Sequence, residues 1–180
     1  MFRPRFQRGP CDTLETLHPA YFALVMATGI VAIAAHLQGL ERLATLLFWL
    51  NAAFFTGLTL AMILRIIRYP SRLLADVANH SRGVGFFTII AATGTFGTQL
   101  ILQRQAMGLA MVFWAAAAAL WAAITYGVLT VLTVKREKPG LVDGFNGGWL
   151  VIVVATQSVS ILSALIAQNL AVDLQPLLAF

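Results

Sequence analysis

The sequence predicts an all-α integral membrane protein with five transmembrane helices. Three observations carry that prediction. Hydrophobic residues make up 59% of the 180 positions and charged residues 11%, against roughly 45–50% and 25% in soluble domains. The charges are also unevenly placed. No Lys, Arg, Asp or Glu occurs in 16–40, 43–64, 83–103, 105–134 or 144–172, which together hold 127 of the 180 residues. Finally, each of these five runs has at least 21 residues, and a helix needs roughly 20 to cross a hydrocarbon core about 30 Å thick. A soluble ball, a disordered chain and a disulfide framework are excluded by the same figures.

The spans are helical because backbone amides facing lipid must be paired within their own segment. Barrel strands would show alternating segments of about 10 residues, and none of the runs alternates. The helices are predicted at about 20–39, 43–66, 84–102, 107–134 and 148–169, all within a single membrane domain 1–180 whose residues 1–18 form a leader. All six prolines (4, 10, 19, 70, 139 and 176) lie outside them. Pro19 suits a first helical turn, where no amide donor is lost. The fourth run, 30 residues long, exceeds the bilayer at about 1.5 Å per residue and must tilt or protrude. The first span resembles a signal peptide in its small-residue Ala32-Ile33-Ala34, but its leader is long and carries Asp12 and Glu15.

Orientation follows from the basic residues. Arg3, Arg5, Arg8, Arg65, Arg68, Arg72, Arg82, Lys135, Arg136 and Lys138 fall on one side, and only Arg42 and Arg104 on the other. This places the N-terminus in the cytoplasm and the chain in the inner or plasma membrane as a multi-pass protein. The net charge of +5 is that same asymmetry. It points to anionic lipid at juxtamembrane loops, not to nucleic acid. Tyr21, Tyr69, Phe86, Phe87 and Trp149 fall near the predicted inner boundary, where aromatic residues anchor helices.

Catalytic chemistry finds no support. The spans hold no P-loop, GxGxxG or HExxH pattern, and Ser158, Ser160 and Ser163 have no histidine in their span. No metal or cofactor is expected. His18 and His36 lie about 27 Å apart along a helix, so only His18 and His80 could meet, as a haem or metal pair. The bland alternative is three interfacial histidines. The single Cys11 reads as an exposed thiol in the leader.

What distinguishes the spans is small and neutral. The fifth carries Thr156, Ser160, Ser163 and Ala167 on one helical face, and the third carries Thr88, Ala92, Thr95 and Gln99, with Gly94 and Gly97 nearby. The first has Tyr21, Thr28, Ala32 and Ala35 on one face, with Gly29 beside it. Such stripes serve helix packing or line a narrow neutral pore. The second span, with Asn51, Thr56, Gly57 and Thr59, is nearly as polar. The fourth, with Ala115–Ala119 between Trp114 and Trp121, suits an outer, lipid-facing layer.

Three strings carry a resemblance. His18-Pro19-Ala20-Tyr21-Phe22-Ala23-Leu24-Val25-Met26-Ala27-Thr28-Gly29-Ile30-Val31 is similar to the first-helix signature of the tellurite-resistance/dicarboxylate transporter family, which also includes the plant slow anion channels, a yeast malate permease and sulfite exporters. Asn79-His80-Ser81-Arg82-Gly83-Val84-Gly85-Phe86-Phe87-Thr88 resembles its entry to the third helix. Gly144-Phe145-Asn146-Gly147-Gly148-Trp149-Leu150, followed by Val153-Val154-Ala155-Thr156-Gln157-Ser158, resembles its fifth.

The resemblance implies a ten-helix fold of five hairpins, with odd-numbered helices around a neutral pore closed by a late phenylalanine, and a homotrimer at full length. It favours the pore reading of the stripes, with Thr28, Gly29, Thr88, Gly94, Thr95, Thr156, Ser160 and Ser163 as candidate pore-lining residues. The partners it implies are the lipid bilayer and small inorganic or dicarboxylate anions. The family's pore helices are commonly kinked by proline, whereas here glycine at 29, 94 or 97 would have to supply any kink. Five spans are half of that plan, and Leu174-Gln175-Pro176-Leu177 reads as the approach to a sixth helix. The expected function is therefore anion transport by a neutral pore. The alternative is a truncated or accessory membrane subunit without transport of its own.

Overall fold

The computed structural model describes residues 14–134 and 147–178. The leader 1–13, with Cys11, and most of the basic loop, 135–146, lie outside the described residues. The fold is all-α: among the described residues every regular element is helical, and five helices are long and apolar enough to cross a membrane. They are α1 (Phe22–Leu37), α2 (Glu41–Arg68), α4 (Phe87–Arg104), α5 (Met107–Val134) and α6 (Val151–Leu178), with a short α3 (Pro70–Val77) between the second and third spans. Single 3-10 turns, Pro19–Tyr21, Val84–Phe86 and Gly147–Leu150, lead into α1, α4 and α6. The backbone of α6 stays helical through the 174–177 stretch.

The hairpin joining α1 to α2 closes through Gly39, whose φ of +77° favours glycine. The amide of Leu40 reaches the Ala35 carbonyl (2.9 Å) and that of Gly39 the His36 carbonyl (2.9 Å), the bonding pattern of a Schellman stop. His36 then pairs with Glu41 across the turn at 3.0 Å.

The layers follow from burial. Over 18 residues of α4 and the turn before it, 94% are buried, whereas over an equal stretch of each of the other four spans 11–28% are. A helix that is apolar or small on every side belongs in the middle, and α4 packs against α1, α2, α5 and α6. Its Phe96 stacks on Phe55 (5.1 Å between centroids) and Phe48 (5.8 Å) of α2 and tilts against Phe113 of α5 (5.1 Å). Each such aromatic pair adds about 0.5–1.5 kcal/mol beyond area burial. Near the end of α4 Gln103 Nε2 donates to the Ala32 carbonyl of α1 (2.8 Å). Phe86 and Phe87, expected at the lipid boundary, are instead buried. Phe87 packs with Ile90, Val128 and Ala155, because the turn before α4 carries both rings into the bundle.

The end of the bundle where α2 closes and α4 begins is tied by charge. Arg65, 1% exposed, pairs with Asp76 of α3 at 2.5 Å and donates twice to the Glu15 carbonyl. Arg82 approaches the other Asp76 oxygen at 2.9 Å and donates to the Thr16 carbonyl. Arg72 pairs with Glu15 at 2.8 Å. One carboxylate thus bridges the end of α2 to the entry of α4, and the backbone at Glu15 and Thr16 lies across both.

Candidate functional site: a neutral groove between α1, α4 and α6

A groove of about 380 Å³ runs between three spans. Met26, Ile30 and Ile33 of α1 form one wall, Thr95, Thr98 and Leu102 of α4 the floor, and Val154, Gln157, Ser158, Ile161 and Leu165 of α6 the other wall. No ionisable side chain lines it. Its polar groups are hydroxyls and one carboxamide, and their hydrogen bonds decide what they offer.

Thr98 donates its hydroxyl to the Gly94 carbonyl (3.0 Å) and Ser158 to the Ala155 carbonyl (2.7 Å). Their protons are committed to the backbone, so these oxygens present lone pairs. Thr95 and Gln157 have no hydrogen-bond partner among the described residues, and both line the groove. They are the two side chains with an uncommitted proton to offer an anion.

The candidate residues from the sequence divide into three groups. Thr95 lines the groove. Gly29 and Gly94 let the helices close around it. A Cβ on Gly29 would sit 2.7 Å from Thr95 Cγ2 and 2.9 Å from Asn51 Nδ2, and one on Gly94 would sit 2.7 Å from Ser158 Oγ. Thr88, buried at the start of α4, has its hydroxyl within reach of the carbonyls of Gly85 (2.7 Å) and Pro19 (2.9 Å). It joins the starts of α1 and α4.

The remaining candidates lie elsewhere on their helices. Thr156 accepts from Trp121 Nε1 (3.0 Å) and Ser163 from Trp114 Nε1 (2.7 Å), so both face α5. They sit roughly half a turn around α6 from Val154 and Ile161. Ser160 is exposed on the flank between. Thr28 is likewise roughly half a turn from Met26 and Ile30. The structure therefore brings Thr95, Gly29 and Gly94 together and adds Thr98, Gln157 and Ser158. Gln157 and Ser158 follow Thr156 directly in the string that carries the resemblance. A polar side chain inside a span was the available signal for them.

Behind the groove lies a second polar group. Asn51 Nδ2 donates to Gln99 Oε1 at 2.6 Å, with both side chains fully buried. Asn51 Oδ1 and Gln99 Nε2 have no partner. Among the described residues no cluster of His, Cys, Asp or Glu could hold a metal ion. Of the two histidines that could meet, His18 and His80, the side chain of His80 lies outside the described residues.

A central helix packed against four others, with a neutral groove reaching its Thr95 and Thr98, is an arrangement suited to a pore wall. The chain matches the family described as SLAC1, voltage-dependent anion channel, over residues 16–179. It belongs to that family. Two curated proteins of Methanocaldococcus jannaschii, each named an uncharacterized transporter, are also similar. One is 24% identical over 162 residues, covering 87% of this chain and 47% of its own. The other is 25% identical over 164 residues, covering 88% and 47%. The chain thus spans about half the length of the curated relatives it matches. No solved structure matches it. Membership in this family, together with five helices long and apolar enough to cross a membrane, makes this a multi-pass membrane chain with the bilayer as its surroundings.

Proposed function

We propose that this SLAC1-family chain forms half of a passive pore for small anions, with the α1–α4–α6 groove as its share of the wall. One observation carries the proposal. The groove's uncommitted donors, Thr95 and Gln157, are neutral, and no ionisable side chain shares the groove with them. Neutral donors replace part of an anion's hydration without holding it, and that balance favours throughput over affinity. Candidate cargoes are tellurite-related oxyanions, C4-dicarboxylates, sulfite and halides. The ten-to-two distribution of basic residues supports a cytoplasmic N-terminus in an inner or plasma membrane. The whole is read as one membrane domain, trimeric at full length, that transports and does not catalyse.

Anion flux into liposomes tests this reading, with Cys11 replaced by serine and single cysteines introduced. Flux through Thr95→Cys and Gln157→Cys should fall when a charged, membrane-impermeant thiol reagent is added. Flux through Thr156→Cys should not, because that side chain faces α5. Inhibition at Thr156 with none at Thr95 would reverse the assignment of faces. Comparing the 180-residue chain alone with a longer protein containing it decides whether this half conducts by itself or acts as an accessory subunit.

A further inference from the structure

A second cavity opens at the outer end of the bundle, between the end of α4, the start of α5 and the outer part of α6. Its volume is about 470 Å³. Every polar residue lining it is a carboxamide: Gln105, Gln168 and Asn169. Leu102 and Leu165 line both this cavity and the groove described above, so the two spaces share a wall. The cavity therefore lies beside the groove along α4 and α6.

The three amides are placed by different devices. Gln105 is the two-residue link's first member, at a φ of +52°, and this left-handed residue lets α4 end and α5 begin within one turn. Gln168 and Asn169 are neighbours on the last exposed turns of α6. Gln105 and Gln168 have no hydrogen-bond partner among the described residues, so both hydrogens of each amide are uncommitted. Asn169 Nδ2 gives one hydrogen to the Leu165 carbonyl (2.8 Å) and keeps the other. The cavity therefore holds several N–H donors and, among its lining residues, no carboxylate. The nearest cation in sequence, Arg104, has its guanidinium 4.5 Å over the Phe48 ring and 5.2 Å from that of Trp49. It adds positive potential at this rim without sitting in the cavity.

We propose that this cavity is an outer subsite for a small carboxylate anion, bound by the amide N–H groups of Gln105, Gln168 and Asn169. It rests on the pore reading only in that the groove is where the anion goes next. The chemistry favours a carboxylate over a monatomic anion. Two oxygens spread over a planar group can accept from several amides at once, and each charge-assisted bond is stronger than its neutral counterpart. Because the donors are neutral, the anion exchanges water for amide without becoming trapped.

The test uses the full-length protein in lipid nanodiscs and succinate as the probe. Saturation-transfer NMR reads weak binding directly from the succinate methylene signal, whether or not transport occurs. The wild-type protein should give that signal. Gln105→Leu with Gln168→Leu should reduce it severalfold. Gln168→Glu keeps the shape of an exposed side chain, cannot disturb the core, and places a negative charge among the donors, so it should abolish the signal. Absence of signal from the wild type, or an undiminished signal in Gln168→Glu, overturns the subsite. Liposome flux keeps the two readings separate. No wild-type flux, with succinate binding intact and sensitive to Gln168→Glu, refutes the pore and leaves the subsite standing.

Discussion

Asn51 of α2 and Gln99 of α4 share a 2.6 Å hydrogen bond with no exposure of either side chain. The bond crosses from the outer layer to the central helix, directly beneath Gly29 of α1. Three spans therefore meet at one amide pair, and its geometry leaves a buried acceptor and a buried donor unsatisfied. Interhelical hydrogen bonds in bilayers average about 0.6 kcal/mol, but an orphaned buried amide costs about 1–3 kcal/mol. Asn51→Leu and Gln99→Leu alone should each destabilise the protein by about 1–2 kcal/mol on these figures. The double variant, which removes both polar groups, should lose less than the sum. Thermal unfolding of the four proteins in one lipid composition measures the coupling. Strict additivity would show that the bond contributes nothing.

Gly29 and Gly57 are both helical glycines within spans, yet they predict opposite responses to alanine. At Gly29 the added Cβ would lie 2.7 Å from Thr95 Cγ2 and 2.9 Å from Asn51 Nδ2, while at Gly57 nothing lies within 4 Å. Overpacking of this kind costs about 1–3 kcal/mol, so Gly29→Ala should lower the unfolding temperature clearly. Gly57→Ala should leave it unchanged or raise it, since alanine is favoured over glycine by about 1 kcal/mol in a helix interior. Equal responses at the two sites would remove the close approach of α1 to α4 from the account.

The spans were legible because hydrocarbon thickness dictates length and desolvation expels charge, and both act on sequence directly. The rotation of each helix was less so. Thr156 and Ser163 repeat at helical spacing and suggest a lining stripe, but Trp121 and Trp114 of α5 claim both hydroxyls. The indole donors lie 35 and 49 residues away in the chain, and no local pattern reports such a pairing. Phe86 and Phe87 show the same limit. An aromatic pair beside a basic loop looks interfacial, and only the turn preceding α4 shows that both are buried. The close approaches at Gly29 and Gly94 were not distinguishable in the sequence from Gly57, which has nothing within 4 Å of an added Cβ.

Asp76 should be the most sensitive of the charged positions between α2 and α4. It pairs with Arg65, which is 1% exposed, and with Arg82. Removing one member of a buried ion pair leaves an uncompensated charge and costs about 3–5 kcal/mol. Asp76→Asn strands Arg65, whose Nη1 already lacks a partner, and should approach that range. Arg72→Ala breaks an ion pair whose arginine is 67% exposed and should change stability little, as exposed pairs do. Denaturant or thermal unfolding of the two variants decides the ranking, and a larger loss at Arg72 would contradict it.

His18 should make stability depend on pH in one direction. Its Nδ1 accepts from the Ala20 amide at 3.1 Å, capping the turn that leads into α1. Burial, then the positive charges of Arg82 and Arg65, opposed by Asp76, hold its pKa below the ordinary 6.5. The folded protein therefore takes up this proton less readily than the unfolded chain. Above 6.5 both states are neutral at this residue and its contribution to stability is complete. As the pH falls below that value the unfolded chain protonates first, and stability declines until the lowered pKa is reached, where it levels off. Protonation also removes the Nδ1 lone pair that caps Ala20. Asparagine is a good cap for the same amide and does not titrate. His18→Asn should match the wild type near pH 8 and exceed it near pH 5, the range over which histidine changes charge. Unfolding temperatures of both proteins across that range measure the difference, and parallel curves would mean that His18 is not the titrating group.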